Sequence, residues 1–214
     1  MAASGGAPAA GKLAITEQQW LFYQNKLRGF LPRPRYEHSL RVAAEAAKMA
    51  RHYGLDEERA RLAGLLHDVA RDLSFSTLFV MAVRLEVPVR REEEANPIIL
   101  HAPVGAALLK RYWGITDAAV LKAVSLHTLA APYMDDFCQL VYLADIIEPG
   151  RKEWPGLTAL RQAGYGHLGQ AMLLALQEGF NYMQRSNTFI HPQSLAAYDD
   201  FLTLHFMEQE STKK

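Results

Sequence analysis

The chain has one cysteine, Cys138, and therefore neither an internal disulfide nor the thiolate set of a Cys-based metal cage. That scarcity suits a reducing compartment, and a cytoplasmic location is expected. Net charge is also missing: Lys plus Arg and Asp plus Glu both number 23. Without a net basic field there is nothing to gather nucleic acid non-specifically, and no nucleic-acid partner is expected. No apolar run reaches the roughly 18 residues that a membrane span needs, so no membrane association is expected. There is no Gly-rich Walker loop, no Ser-centred elbow and no zincin His pair on one helix. Period-two alternation long enough for a strand is lacking as well.

What remains is helical. Half of the residues are apolar, enough for a sizeable core in one domain. Residues 1–12 are rich in Ala and Gly and read as a disordered leader, with one helical domain over 13–214. Thr16 and Gln19 form a capping-box pair. An Ala-rich helix is expected from about Arg35 to Tyr53, closed by Gly54. Asp56 caps a helix carrying Leu62, Leu65, Leu66 and Val69, and Ser74 or Ser76 opens another. Arg90 to Glu94 reads as an exposed charged loop. Thr116 or Asp117, then Asp135 and Asp136, start two further helices, the second stopping at Pro149 and Gly150. The spacing predicts an all-α, single-domain helical bundle.

Within that bundle the polar residues are oddly placed. His67 and Asp68 interrupt Ala63-Gly64-Leu65-Leu66 and Val69-Ala70, and Asp145 interrupts Leu140-Val141-Tyr142-Leu143-Ala144 and Ile146-Ile147. A buried carboxylate is costly unless it is paired or bound to a metal. One such residue is ordinarily just satisfied by an Arg or a core hydrogen bond. His38, His101 and His127, however, also sit among small or apolar neighbours. Four imidazoles and two carboxylates converging inside one bundle ask for multivalent cations. Six mixed N and O ligands exceed one tetrahedral site but suit two adjacent ions, with iron, manganese, zinc and nickel all open. Two ions about 3.5 to 4 Å apart can clamp an in-line phosphoryl displacement. Arg151, following Glu148-Pro149-Gly150, and Arg71 are candidate cations for a phosphate. His52, His167 and His205 are expected to be structural, at a helix end or in core packing. His191, before a Pro at a helix start, is a weaker candidate for the site.

The ordered set His38, His67-Asp68 and Asp145 resembles the HD-domain metal-dependent phosphohydrolase superfamily. Longer motifs are similar to the bacterial YqeK-type family: His38-Ser39-Leu40-Arg41-Val42-Ala43, Gly64 to Asp68, Leu100 to Ala106, Tyr142 to Arg151, and Ile190-His191-Pro192-Gln193-Ser194-Leu195. This resemblance implies a symmetrical bis(5′-nucleosyl)-tetraphosphatase, cleaving diadenosine tetraphosphate to two ADP at a di-iron-type centre, and a possible homodimer. It further implies one metal on His38, His67, Asp68 and Asp145, with Asp68 bridging to a second on His101 and His127. A metal-bridged hydroxide would attack phosphorus, with His67 and Asp68 as the catalytic pair. The family usually has Thr-Thr-Gly and a basic residue after the His127 position, where this chain has Thr128-Leu129-Ala130-Ala131; Thr128 is a substrate-binding candidate there. Ala102 and Arg71 stand where Gly and Lys are usual. Another HD phosphohydrolase, such as a nucleotidase, and a nucleotide-sensing module with a retained metal remain the alternatives.

Overall fold

The computed structural model describes residues 12–211; residues 1–11 of the expected leader lie outside them. Eleven α-helices and one 3-10 turn make up the described regular structure: α1 Glu17–Phe30, α2 Arg33–Tyr53, α3 Glu57–Leu66, α4 Phe75–Arg84, α5 Arg91–Ala95, the 3-10 turn Pro97–Leu100, α6 His101–Tyr112, α7 Ala118–Leu126, α8 Asp136–Ile147, α9 Leu157–Ala163, α10 Leu168–Arg185 and α11 Pro192–Ser211. The fold is all-α. No helix among the described residues is long and apolar enough to cross a membrane.

Local chemistry explains the helix starts. Thr16 and Gln19 close a capping box on α1. Asp56, Ser74, Asp117 and Asp135 each accept a main-chain N–H from the first turn of α3, α4, α7 and α8. Pro34 sits inside α2 without interrupting it. It lies in the first turn of α2, where an N–H would be unpaired anyway. Gly54 ends that helix at φ 68°. The charged run after Arg90 is not a loop: it forms α5, because Glu93 folds back and accepts the Arg90 N–H at 2.7 Å. Glu93 is buried there, against expectation.

One core runs from Trp20 to Phe201, with α2, α3, α7 and α8 packed at its middle, α6 on α7, and α10 on α8. Leu65, Leu66, Leu140 and Leu143 are fully buried, and burial of each contributes about 1.5–3 kcal/mol. At Gly64 the approach of α2 is closest. A Cβ there would come within 2.9 Å of the Ala43 Cα and the Val42 carbonyl oxygen.

Two helices are aligned by one arginine. Arg59 bonds Asp56 at 3.2 Å and Asp117 at 2.8 Å, so the caps of α3 and α7 are held together. The helices have 10 and 9 residues, about 15 and 13.5 Å of rise. Their far ends therefore fall at one level, and the residues just past those ends are His67 and His127. Their ring centroids are 4.9 Å apart.

Candidate metal centre

Six side chains meet where these helices end. His38 comes from the second turn of α2, Asp145 from the last turns of α8, and His101 is the first residue of α6. His67 and Asp68 are not inside a helix as the apolar pattern suggests. α3 stops at Leu66, and both residues sit in the turn that follows. His127 likewise caps α7.

That placement has a chemical consequence. The Nδ1 of His67 lies 2.8 Å from the Gly64 carbonyl, that of His127 2.7 Å from Val124, and that of His101 2.5 Å from Ile98. In each case the acceptor is the carbonyl three residues back, and for His67 and His127 it belongs to the last turn of a helix, where carbonyls are left open. A carbonyl can only accept, so Nδ1 carries a hydrogen and Nε2 is the atom left to meet a metal or, without one, a proton. His38 reaches the same state through a carboxylate: its Nδ1 lies 3.0 Å from Glu148 Oε1.

The four Nε2 atoms turn toward the two aspartates. Asp145 Oδ1 is 2.9 Å from His38 Nε2 and 3.6 Å from His67 Nε2. Asp68 Oδ2 is 3.5 Å from His67 Nε2, while its Oδ1 is 3.3 and 3.5 Å from His101 and His127 Nε2. Asp68 thus presents one oxygen to each of two imidazole pairs. Ligand atoms of His38, His67 and Asp145 lie within 4.8 Å of one another, as do those of His67, Asp68 and His127. Thr128 Oγ1 adds a hydroxyl 3.2 Å from His101 Nε2.

These residues fit metal ions. His67 Nε2 is wholly buried and has no hydrogen-bond partner, and the Nε2 atoms of His101 and His127 face each other at 3.0 Å with both lone pairs inward. Two acceptors cannot bond each other, and a pair so placed suits a cation. Without metal the charge balance falls on protons. Burial alone would lower His67, but the Asp68 and Asp145 carboxylates carry it up to about 10. Burial works against both aspartate charges, yet the His67 cation and the surrounding imidazoles hold them well below the usual carboxylate range. Burial pulls His101 down.

Among the arginines, Arg151 folds back on Asp145, its Nε 2.8 Å from the main-chain oxygen and its Nη2 on Oδ1. Arg71 is half-buried beside the centre, and its N–H closes the turn on the Asp68 carbonyl at 2.9 Å. The sequence reading missed Arg35, whose Nη1 bonds Asp68 Oδ2 at 3.1 Å. Its position three residues before His38 on the same helix was the available signal. Glu148 was missed too. It is buried, and Arg41 and the Gly150 N–H bond its other oxygen; together with His38 they outweigh burial and keep its pKa low. At Gly150 any side chain would displace Arg41. A Cβ would stand 2.1 Å from Arg41 Nε.

His191 is buried, its Nε2 3.5 Å from Glu93 Oε1. His52 is exposed, 2.8 Å from the Tyr165 carbonyl. His167 is exposed as the cap of α10 instead of packing in the core, and His205 is half-buried.

The model of the HD domain matches residues 35–150, more than half of the chain and every member of this cluster. The chain belongs to the HD-domain family. HD domain proteins are metal-dependent. Among the HD-domain proteins it is similar to the symmetrical bis(5′-nucleosyl)-tetraphosphatase of Bacillus subtilis, 30% identical over 165 residues, 77% of this chain and 88% of the relative. The Staphylococcus aureus protein of the same name is 38% identical over 141 residues, 63% and 69% of the two chains. The crystal structure of an HD superfamily hydrolase from Clostridium acetobutylicum, described as involved in NAD metabolism, superposes with a TM-score of 0.83 at 30% identity. It covers 90% of this chain and 99% of its own.

Proposed function

We propose that this HD-domain chain hydrolyses dinucleoside tetraphosphates symmetrically, splitting diadenosine tetraphosphate into two ADP. The observation that carries the reading is Asp68, with one oxygen facing each imidazole pair. His38, His67, Asp68 and Asp145 would hold one metal ion, and Asp68, His101 and His127 a second. Imidazole and carboxylate donors suit iron, and manganese, zinc and nickel use the same set. When bound, such a pair polarises phosphate oxygens and makes water acidic enough to act near neutral pH.

The chain's own residues do the positioning. Asp68 orients the attacking water while Glu148 and the three main-chain carbonyls keep the imidazoles from rotating. Arg35 and Arg151 flank Asp68 and Asp145 and supply positive charge where the phosphates gather. Arg71 and Thr128 complete the substrate contacts. Water adds to an inner phosphorus, the central P–O bond breaks, and the two halves leave as ADP.

The test is product analysis by ion-exchange chromatography after incubation of the iron- or manganese-loaded protein with diadenosine tetraphosphate. Two equivalents of ADP are expected. ATP plus AMP, or no turnover with metal demonstrably bound, would overturn this reading.

A further inference from the structure

Beside the His101–His127 half of the centre lies a cleft of about 210 Å³, lined by Val87, Pro88, Pro103, Ser125, Thr128 and Gln193 among others. Thr128 belongs to both places, since its hydroxyl is 3.2 Å from His101 Nε2. The cleft is smaller than the roughly 300–1,000 Å³ of pockets that enclose a whole ligand. It has room for one ring system, with the rest of the molecule outside. Most of its lining is aliphatic or prolyl, which suits a flat apolar face, and the charged Arg90 and Glu93 line it as well.

The polar groups at its edge are fixed before any ligand arrives. Gln193 donates from Nε2 to the Ala130 carbonyl at 2.6 Å, and its own N–H is given to His191 Nδ1 at 3.1 Å. One amide hydrogen is spent, leaving Gln193 one N–H and its carbonyl oxygen, the donor–acceptor pair that a nucleobase edge complements. Ser125 gives its hydroxyl hydrogen to the Lys122 carbonyl at 2.8 Å and so offers only acceptor lone pairs. A ligand edge carrying an amino group satisfies both. Such preset groups cost little ordering on binding.

We propose that this cleft seats the nucleobase of one half of the dinucleoside substrate, held at its edge by Gln193, with the attached phosphates passing Thr128 to reach the His101–His127 pair. This rests on the hydrolase reading above and adds to it the place of one nucleoside. The cations Arg35 and Arg151 lie by Asp68 Oδ2 and Asp145, so a substrate cut at its middle has one half for each side of the centre.

The test is calorimetric binding of ADP and of pyrophosphate to the manganese-loaded protein and to Val87→Trp, which fills the cleft from a segment that holds no ligand. Val87→Trp should bind ADP more weakly by roughly tenfold or more, the scale of losing a stacked or buried base. Its pyrophosphate affinity and metal content should equal those of the unsubstituted protein. Pro88→Trp provides the same obstruction if Val87→Trp does not fold. Equal ADP affinity in the unsubstituted and obstructed proteins overturns the assignment. ADP binding that is weakened by the obstruction, in a protein that never splits diadenosine tetraphosphate, supports the cleft and sinks the hydrolase reading alone.

Discussion

His101 and His127 hold their Nε2 atoms 3.0 Å apart while each Nδ1 gives its hydrogen to a main-chain carbonyl. Neither ring has a hydrogen left for the other, an arrangement that suits a shared cation. Replacing His127 by Ala should remove one metal equivalent per chain and lower kcat/KM by more than the 10–100-fold typical of outer partners. Elemental analysis alongside steady-state kinetics checks both. Full metal content with ordinary turnover would exclude His127 as a ligand.

Glu148 acts on the metal at one remove, through His38 Nδ1. Glu148→Gln loses the charge that keeps His38 oriented, and it leaves Arg41 without its carboxylate. Metal affinity measured by competition with a chelating dye should fall about 10–100-fold. Unchanged affinity would reduce Glu148 to a packing residue.

Gly64 is set by distance, since a methyl group there meets main-chain atoms of α2 at 2.9 Å. Backbone cannot swing aside as a long side chain can. Gly64→Ala should cost about 1–3 kcal/mol in urea unfolding, the range for overpacked cores. It should also weaken metal binding, because His67 is anchored on the Gly64 carbonyl. A neutral substitution would mean that α2 and α3 are looser than their contact implies.

The metal-free protein should show an alkaline loss of stability. His67 has an ordinary value of 6.5 and is carried up to about 10 in the folded chain. Its contribution is complete below about pH 6.5 and is lost as pH rises through about 10. Asp68 and Asp145 are shifted down, so theirs is present above the unfolded carboxylate range and is lost in acid. Melting temperatures of the chelator-treated protein should therefore fall from pH 6.5 toward pH 10, and His67→Gln should flatten that limb. A level profile in the parent would contradict the His67 assignment.

Much of this centre could be read from residues alone, for a physical reason. His67, Asp68 and Asp145 are polar groups in runs that otherwise bury completely, and such groups stand out wherever the core is apolar. The helix caps were equally legible because Asp56, Asp117 and Asp135 act within three residues of themselves. Contacts between distant elements were not. Arg35 reaches Asp68 across 33 residues and Glu148 reaches His38 across 110. Each is an ordinary charged residue in its own neighbourhood. The α5 segment was misjudged because five consecutive charges imply solvent, whereas Glu93 turns inward to cap its helix and meet His191. Ala130 shows the converse. It stands where the related family usually has Gly, yet its backbone still takes φ 58°, with its carbonyl tied to Gln193.

Metal stoichiometry is the most direct test of a pair of cations joined through Asp68. Protein purified anaerobically and loaded with iron should carry two ions per chain, and Asp68→Ala should carry one or none with its fold retained by circular dichroism. One ion per chain in the parent, or two in Asp68→Ala, would contradict it.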